Sequence, residues 1–341
     1  MSTGTAAAPK TANRYDVADA PPFRIADLLL RWESILVLLL VAVIAVNTWI
    51  SPYFLDIYNL SDATFNFSEK AIIALAMALL IIARDIDLSV AAIVAVASLA
   101  MGEASAAGAG APVLVLTGLV TGAACGAFNG TLVTRFALPS IVVTIGTMSL
   151  FRGLAQVVLG DQAFTTYPAN FQAIGQGYIA PNIPVPISFT LFLLLAAVFG
   201  FVLHRTTIGR RIFAAGSNPV AARFSGIPVN RIRFWLFVLS GTMAGMAAVL
   251  LTARIGSTRS NIALGYELEA VTMVVLGGVS IAGGAGTILG VVLAVFVLGL
   301  TTFGLSLVNV PGVVINVLNG LLLIGSICVP IIARHFVSKH A

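Results

Sequence analysis

Long apolar runs recur along this chain, and they limit its fold more than any other feature. One such run is ISFTLFLLLAAVFGFVL at residues 187–203, in which apolar residues follow one another without alternation. A spanning helix needs about 20 such residues to cross about 30 Å of hydrocarbon, whereas a transmembrane barrel strand alternates apolar and polar positions. Charged residues make up 9% of the chain, against about 25% in soluble domains. We therefore expect an all-α, polytopic membrane helix bundle.

The runs predict about ten transmembrane helices, with boundaries good to a few residues. Two runs, 66–84 and 267–283, are less regular because they contain polar residues or paired glycines, which a lipid-facing helix avoids. The expected spans are 34–50, 66–84, 88–107, 112–133, 140–159, 187–203, 234–253, 267–283, 287–305 and 313–333.

Arginine-rich and arginine-free loops predict how the bundle is oriented. Residues 204–233 carry six arginines and no acid, whereas residues 160–186 carry Asp161 and no lysine or arginine. Cytoplasmic loops are enriched in basic residues, so the first segment is predicted to be cytoplasmic and the second external, with both termini in the cytoplasm. The expected units are a poorly ordered cytoplasmic tail at 1–32, a transmembrane domain at 33–333 that contains the cytoplasmic loop 204–233, and a second cytoplasmic tail at 334–341.

The remaining composition argues against several other classes of protein. The net charge is +5, but the basic residues lie in loops between apolar runs, so we expect no nucleic-acid binding. Cys125 and Cys328 lie inside apolar runs, where a thiol packs as a small apolar group, and they predict no disulfide framework. The three histidines, His204, His335 and His340, have no carboxylate or cysteine pattern beside them, so we expect no metal site and no catalytic residues.

Glycines spaced four residues apart predict close packing between two helices. In a bilayer, small residues let helix backbones approach, and this approach replaces hydrophobic exclusion as the source of attraction. We interpret the glycines as helix-packing positions rather than as ligand contacts. They are Gly118, Gly122, Gly126 and Gly130 in the fourth span, and Gly241 and Gly245 in the seventh.

The cytoplasmic loop contains a short segment, GSNPVAARFSG at residues 216–226, with helix signals at both ends. Asn218 suits an N-cap, Pro219 suits the first helical position, and Gly226 suits the position just after a helix. A helix of about two turns is marginal alone in water. It is either an ordinary structured loop resting on the bundle or a docking helix that presents Val220, Phe224 and Arg223 to a cytoplasmic partner.

Four sequence blocks carry a family resemblance. They lie at 85–90 (DIDLSV), 126–153, 207–257 and 265–290, and in this order they resemble the permease subunits of bacterial ATP-binding cassette (ABC) importers for simple sugars, the ribose, xylose, rhamnose and autoinducer-2 group. The resemblance implies a bacterial inner-membrane protein with three kinds of partner: an ABC ATPase subunit, an external sugar-binding protein, and a second or related permease. It also places the ATPase-coupling helix on Gly216, Asn218, Pro219, Val220, Ala221, Arg223, Phe224 and Gly226.

The chain lacks the loop that binds nucleotide in P-loop ATPases. That loop needs a Gly-Lys pair, and the three lysines, Lys10, Lys70 and Lys339, are not preceded by glycine. We therefore expect a transport subunit that is not itself an enzyme and binds no cofactor directly, with ATP and Mg²⁺ held by the partner ATPase. The same absence also fits a secondary transporter or a channel.

Two aspartates interrupt an apolar stretch, and buried carboxylates in a membrane are costly enough to need a reason. In one interpretation they lie at a cytoplasmic helix end, with Arg84 beside them and Asp87 capping the helix that begins at Leu88. In the other, a broken helix lines the solute path. The family resemblance puts glycines where this chain has Arg84, Asp85 and Ala91. The candidate pathway residues are Asp85, Asp87, Ser89, Asn129, Thr144, Thr147 and Arg152.

Charged residues near the predicted external face form a last candidate site. Glu267 and Glu269 are expected to pair loosely with Arg254 and Arg259, and the alternative is contact with the external binding protein. Taken together, these features predict an ATP-driven importer permease that passes a monosaccharide. The main alternative is an ion-coupled secondary transporter that uses Asp85, Asp87 or Glu267 to bind a proton or sodium ion.

Overall fold

A computed structural model describes residues 32–180 and 183–338, with side chains as far as Ser326 and at Cys328. The expected N-terminal tail therefore lies outside the described residues except for Trp32, and so does the end of the C-terminal tail. The described helices are α1 Trp32–Ile50, α2 Ile57–Ile82, α3 Val90–Ala106, α4 Ala111–Arg135, α5 Ser140–Leu159, α6 Ala169–Gln176, α7 Ile187–Arg205, α8 Thr207–Ser217, α9 Pro219–Phe224, α10 Val229–Ile255, α11 Tyr266–Leu276, α12 Ile288–Leu307 and α13 Gly312–Ser338.

Seven of the helices in the described part of the chain are long and apolar enough to cross a membrane. These are α1, α2, α4, α5, α7, α10 and α12, and each coincides with one of the expected runs. Two further apolar stretches, Val90–Ala106 and Gly312–Ser326, are shorter. Together with α11, these helices overlap all ten expected runs, but the described residues give seven candidate spans rather than ten, and the chain breaks between α2 and α3 and again after α11.

The break after α11 makes the expected span 267–283 wrong in length. The helix ends at Leu276, because Gly278 adopts a φ of +83°, and the following segment continues with positive φ angles at Gly283, Gly284 and Gly286. Such angles are accessible to glycine and end a right-handed helix. The helix α2, by contrast, starts earlier than expected, because the Asp56 side chain accepts hydrogen bonds from the backbone amides of Tyr58 and Asn59.

The segment expected to be an external loop also contains the two strands that depart from an all-α fold. After the short helix α6 come β1 Tyr178–Ala180 and β2 Ile183–Pro186, which pair antiparallel. Pro184 and Pro186 favour an extended backbone over a helix, and the register pairs Tyr178 with Pro186. This small hairpin leads directly into α7.

The centre of the bundle is α2. From Ala71 to Ile82 every residue of this helix is buried, because α10, α11, α12 and α7 all pack around it. A helix buried on all sides is apolar all round, and the sequence ALAMALLII at 74–82 shows this pattern. The first of the two breaks therefore lies at the end of the most deeply buried of the described helices.

The glycine-rich helices α4 and α10 pack directly against each other. A side chain at Gly122 would collide with the Gly241 carbonyl, and a Cβ there would lie 2.7 Å from the Gly245 Cα. Gly126 faces Gly241 in the same way. The structure thus places the two sets of glycines at one close contact between helices, where backbones rather than side chains touch. Gly118 lies against Val249 and Gly130 against Phe234 at the two ends of this contact.

Candidate functional site

The short segment at 216–226, which is expected to be cytoplasmic, contains a separate helix, α9. The Asn218 side-chain oxygen accepts hydrogen bonds from the amides of Val220 and Ala221 at 3.1 and 3.0 Å, and Pro219 occupies the first turn. Ser225 closes the helix, and Gly226 follows with φ +80°. Gly216 lies outside α9, in the last turn of α8. Local capping chemistry therefore defines both ends of a helix only six residues long.

One side of α9 is attached to the protein and the other is bare. Ala222 is buried against Ala215 and Val229, whereas 91% of Phe224 and 61% of Val220 are exposed. Arg223 is exposed as well, and its guanidinium donates to the Asn230 side chain at 3.0 Å. A phenylalanine so fully exposed on a structured element is typical of a surface that a partner covers.

The loop that carries α9 is joined to both breaks in the membrane helices. The Arg84 guanidinium donates to the Ser217 carbonyl at 2.9 Å, and the Gly284 amide donates to the Ile82 carbonyl at 2.8 Å. Gly216 approaches the Ile82 carbonyl so closely that a Cβ would collide with it. The end of α2, the glycine segment after α11 and the end of α8 therefore meet at one point, which we call the break junction.

Arg84 adopts an unusual backbone conformation at this junction. Its φ of +69° lies in the left-handed region, which glycine enters without strain and other residues enter at a cost of about 1–3 kcal/mol. The family resemblance places a glycine at this position, and the observed φ explains why a glycine suits it. The bond from Arg84 to Ser217 is a contact that a glycine could not make.

Asp85 has a different partner from the one expected. Arg84 points to the α8 end, and Asp85 instead accepts two hydrogen bonds from Arg233 of α10, at 2.5 and 2.6 Å. Asp85 is 1% exposed, while the Arg233 side chain retains 22% exposure. A bidentate contact of this kind fixes geometry as well as charge, so it ties the first break to the helix that follows α9.

Asp87 also differs from the expected helix cap. The helix α3 begins at Val90, and the Asp87 carboxylate accepts from the Ser89 amide at 3.0 Å and from the Ser89 hydroxyl at 2.6 Å. Ser240 of α10 donates to the second carboxylate oxygen, and Asn129 of α4 donates to Ser89. Asp87, Ser89 and Asn129 thus form one fully buried polar cluster that joins α3, α4 and α10.

The other candidate pathway residues are bonded to backbone carbonyls, and Thr144 donates to the carbonyl of Ile86, next to Asp87, at 3.3 Å. Arg152 donates to the carbonyls of Ser260 and Ile262 at 2.9 and 2.8 Å, and to Ala91 at 3.2 Å. Thr144 donates to Ser140 within its own helix, and Thr147 bonds to Thr144. These contacts hold loops and helices together, and such bonds are common between packed membrane helices.

The charges near the predicted external face are paired differently from the expectation. Arg254 binds Glu69 of α2 at 2.8 Å, and Glu69 is fully buried. Glu269 binds Lys70, the next residue of α2, at 2.6 Å. Glu267 is half-buried and Arg259 is exposed. Two adjacent residues in the middle of an apolar helix therefore hold the two ion pairs, and neither Glu69 nor Lys70 was singled out as a site residue from the sequence.

A cavity of about 400 Å³ lies beside one of these pairs. We call it the α2–α11 cavity, after the helices that carry the pair. None of the candidate pathway residues lines it, and its polar wall comes from four helices. The sequence signal for it was the polar content of the run 66–84, which stood out among the spans. The polar lining residues include Asn66, Lys70, Glu269, Thr272, Thr302 and Asn319.

This arrangement, a bundle of long apolar helices with a capped helix on a basic loop, defines a multi-pass membrane transport subunit. A family model described as the permease component of a branched-chain amino acid transport system matches residues 59–327, and the chain belongs to this family of importer permeases. The membership expected from the four sequence blocks is thereby confirmed.

Individual relatives in this family are similar to the chain over most of its length. The autoinducer 2 import system permease protein LsrD of Escherichia coli K12 is 35% identical over 306 residues, which cover 86% of this chain and 90% of the relative. LsrD of Shigella flexneri and of E. coli O157:H7 match with the same identity and coverage. A comparison with solved structures found no match. The family description names branched-chain amino acids, whereas the names of these relatives give autoinducer 2.

Proposed function

We propose that the chain is the membrane-spanning subunit of an ATP-driven importer and forms the path for a monosaccharide or a similar small, polyhydroxylated solute. In this proposal an external binding protein delivers the solute, a second or related permease completes the path, and the assembly lies in the bacterial inner membrane. ATP and Mg²⁺ are bound by a partner ATPase, whose movement is relayed through α9.

The observation that carries the proposal is the bare face of α9. Ala222 anchors the helix to the protein, while Phe224 and Val220 project an apolar surface beside Arg223. An exposed aromatic residue next to an arginine is the composition of a binding hot spot. A helix this short is not stable alone. Its caps and its anchoring hold it in a fixed position, and this favours a role as a docking element for the ATPase.

The relatives support the choice of solute. The LsrD proteins are described as permeases of autoinducer 2 import systems, and this chain matches them over most of its length. At the opposite end of the bundle, the exposed Arg259 and the half-buried Glu267 are the charges we assign to contact with the binding protein, because Arg254 and Glu269 are already paired within the chain.

The test is ATPase capture by the purified permease. Phe224→Ala and Arg223→Ala should each weaken retention of the ATPase by about 30-fold, as expected when a hot-spot side chain worth about 2 kcal/mol is removed. Leu264→Ala is the matched control, since Leu264 is 71% exposed but lies just before α11, away from the cytoplasmic loop. Unchanged capture by the Phe224 variant, in protein that elutes like the wild type, would overturn the docking role.

A further inference from the structure

The α2–α11 cavity has the size of a small-molecule site. Its volume of about 400 Å³ lies within the range of about 300–1,000 Å³ that is typical of small-molecule sites. Asp62, Asn66 and Ser306 are exposed at its mouth, whereas Phe67 and Met273 are buried at its floor. The mouth is at the first half of α2, the opposite end from the break junction at Ile82, and the arginine-rich loop assigns that end to the external face.

The wall of this cavity contains charges that packing alone does not explain. The two neighbouring ion pairs on α2 differ in their surroundings. Glu69 is fully buried by its contact with Arg254, and that pair ties two helices together. The side chains of Lys70 and Glu269 retain 15% and 20% exposure and line the cavity, and Lys70 also lies 4.8 Å from the centre of the Tyr266 ring. Ionisable groups within membrane helices are costly and mark solute pathways more often than structural sites.

Several polar groups in the wall are free to bind a solute. Among the side chains that the structure describes, as far as Ser326 and at Cys328, those of Asp62, Thr302 and Asn319 make no hydrogen bond with the protein. They supply both donors and acceptors, and the Lys70–Glu269 pair is neutral as a whole. Phe67 and Phe303 add two aromatic rings to the same wall. Hydroxyl-rich neutral molecules match this combination, because they both donate and accept hydrogen bonds and have apolar C–H faces.

We propose that the α2–α11 cavity is the site that first holds an uncharged, polyhydroxylated solute of monosaccharide size after its delivery. This inference rests on the proposed function and adds the location and the binding groups. The pair Lys70–Glu269 forms one side of the site, and the hydroxyl of Thr302 forms the other.

Thr302 and its neighbour Thr301 provide a matched pair for the test. Thr302 lines the cavity, whereas Thr301 bonds to the Val297 carbonyl of its own helix and does not line it. Each is changed to cysteine in a background that carries Cys125→Ser and Cys328→Ser. Cells that contain the complete importer are then treated with a membrane-impermeant, positively charged methanethiosulfonate reagent. We expect Thr302→Cys to react and to lose uptake, and Thr301→Cys to be unaffected.

The solute panel is radiolabelled D-ribose, D-xylose, L-rhamnose and autoinducer 2. The panel member that is imported should slow the labelling of Thr302→Cys, and Thr302→Val should reduce its uptake at low concentration by about threefold to tenfold, as the loss of one hydrogen bond predicts. Thr301→Val should leave uptake unchanged.

The outcomes separate this proposal from the proposed function. If ATPase-dependent uptake occurs in the parent protein but labelling at Thr302→Cys leaves that uptake intact, the cavity is not the site and the importer role stands. If the reagent does not reach Thr302→Cys, the cavity faces lipid and the site is likewise overturned. If no panel member enters and α9 variants still capture the ATPase normally, the proposed function itself fails.

Discussion

The contact between Asp85 and Arg233 should be a large contributor to stability among the described ion pairs. Removing one partner of a buried ion pair costs about 3–5 kcal/mol, because the remaining charge is left without compensation. Asp85 is 1% exposed, but Arg233 retains 22% exposure and can recover part of its hydration. We therefore expect Asp85→Asn to lower the free energy of unfolding by about 2–4 kcal/mol. The asparagine matches the aspartate in size, so the loss reflects charge and hydrogen bonding rather than volume.

The measurement is the thermal midpoint of the purified protein in detergent, with Glu269→Gln as the matched control. The Lys70–Glu269 pair is partly exposed on both sides, and pairs of this kind contribute about 0–1 kcal/mol. Asp85→Asn should therefore lower the midpoint by several degrees more than Glu269→Gln. The double variant Asp85→Asn with Arg233→Met should recover part of the loss, because it removes the unpaired cation.

The reasoning is refuted by either of two results. Equal midpoints for Asp85→Asn and Glu269→Gln would mean that burial does not set the strength of these pairs. A double variant no more stable than Asp85→Asn would mean that the unpaired Arg233 is not the source of the loss. In both cases the contact between Asp85 and Arg233 would not stabilise the fold as a buried ion pair.

Two further predictions concern other parts of the fold. Gly122→Leu should prevent α4 from packing on α10, because a side chain there collides with the Gly241 backbone. Size-exclusion chromatography should show that this variant aggregates. Gly146→Leu is the control and should not aggregate, because Gly146 faces open space. Burial raises the pKa of Tyr167, more than its hydrogen bond with Thr258 lowers it. The contribution of the neutral Tyr167 to stability is complete below the ordinary tyrosine pKa of about 10, and it is lost as the pH rises through the pKa of Tyr167 in the folded protein. Above that pH, Tyr167→Phe should therefore unfold less readily than the wild type.

The sequence predicts the features that depend on local chemistry. The ends of α9 follow from Asn218, Pro219 and Gly226, since a cap involves residues only two or three positions apart. The positions of the long helices follow from apolar runs, because the bilayer imposes their length. The polar residues of α2 and the glycines after α11 also mark, in the sequence, the two spans that end at chain breaks.

The sequence could not predict contacts that the fold creates between distant residues. Arg233 lies 148 residues from Asp85 along the chain. From the sequence alone, the adjacent Arg84 is the nearer candidate for the partner of Asp85. The α2–α11 cavity likewise combines residues from four helices, and of these only the polar residues in the run 66–84 stand out in the sequence. Serine and threonine are ambiguous in the same way, because the hydroxyls of Thr301 and Thr302 become distinct only when their surroundings are known.

The helix α2 connects the surface we assign to the ATPase with the cavity we assign to the solute. Its last residue, Ile82, meets the end of α8 at the break junction, and Lys70 lies about 18 Å further along the same helix at about 1.5 Å per residue. Every residue between them is buried, and close-packed interiors transmit displacement rather than absorb it. A movement of α9 that shifts Ser217 must therefore either shift α2 or break the contacts of Gly216 and Arg84. Weakening those contacts with Arg84→Gly should thus reduce solute uptake while ATPase capture by Phe224 is preserved.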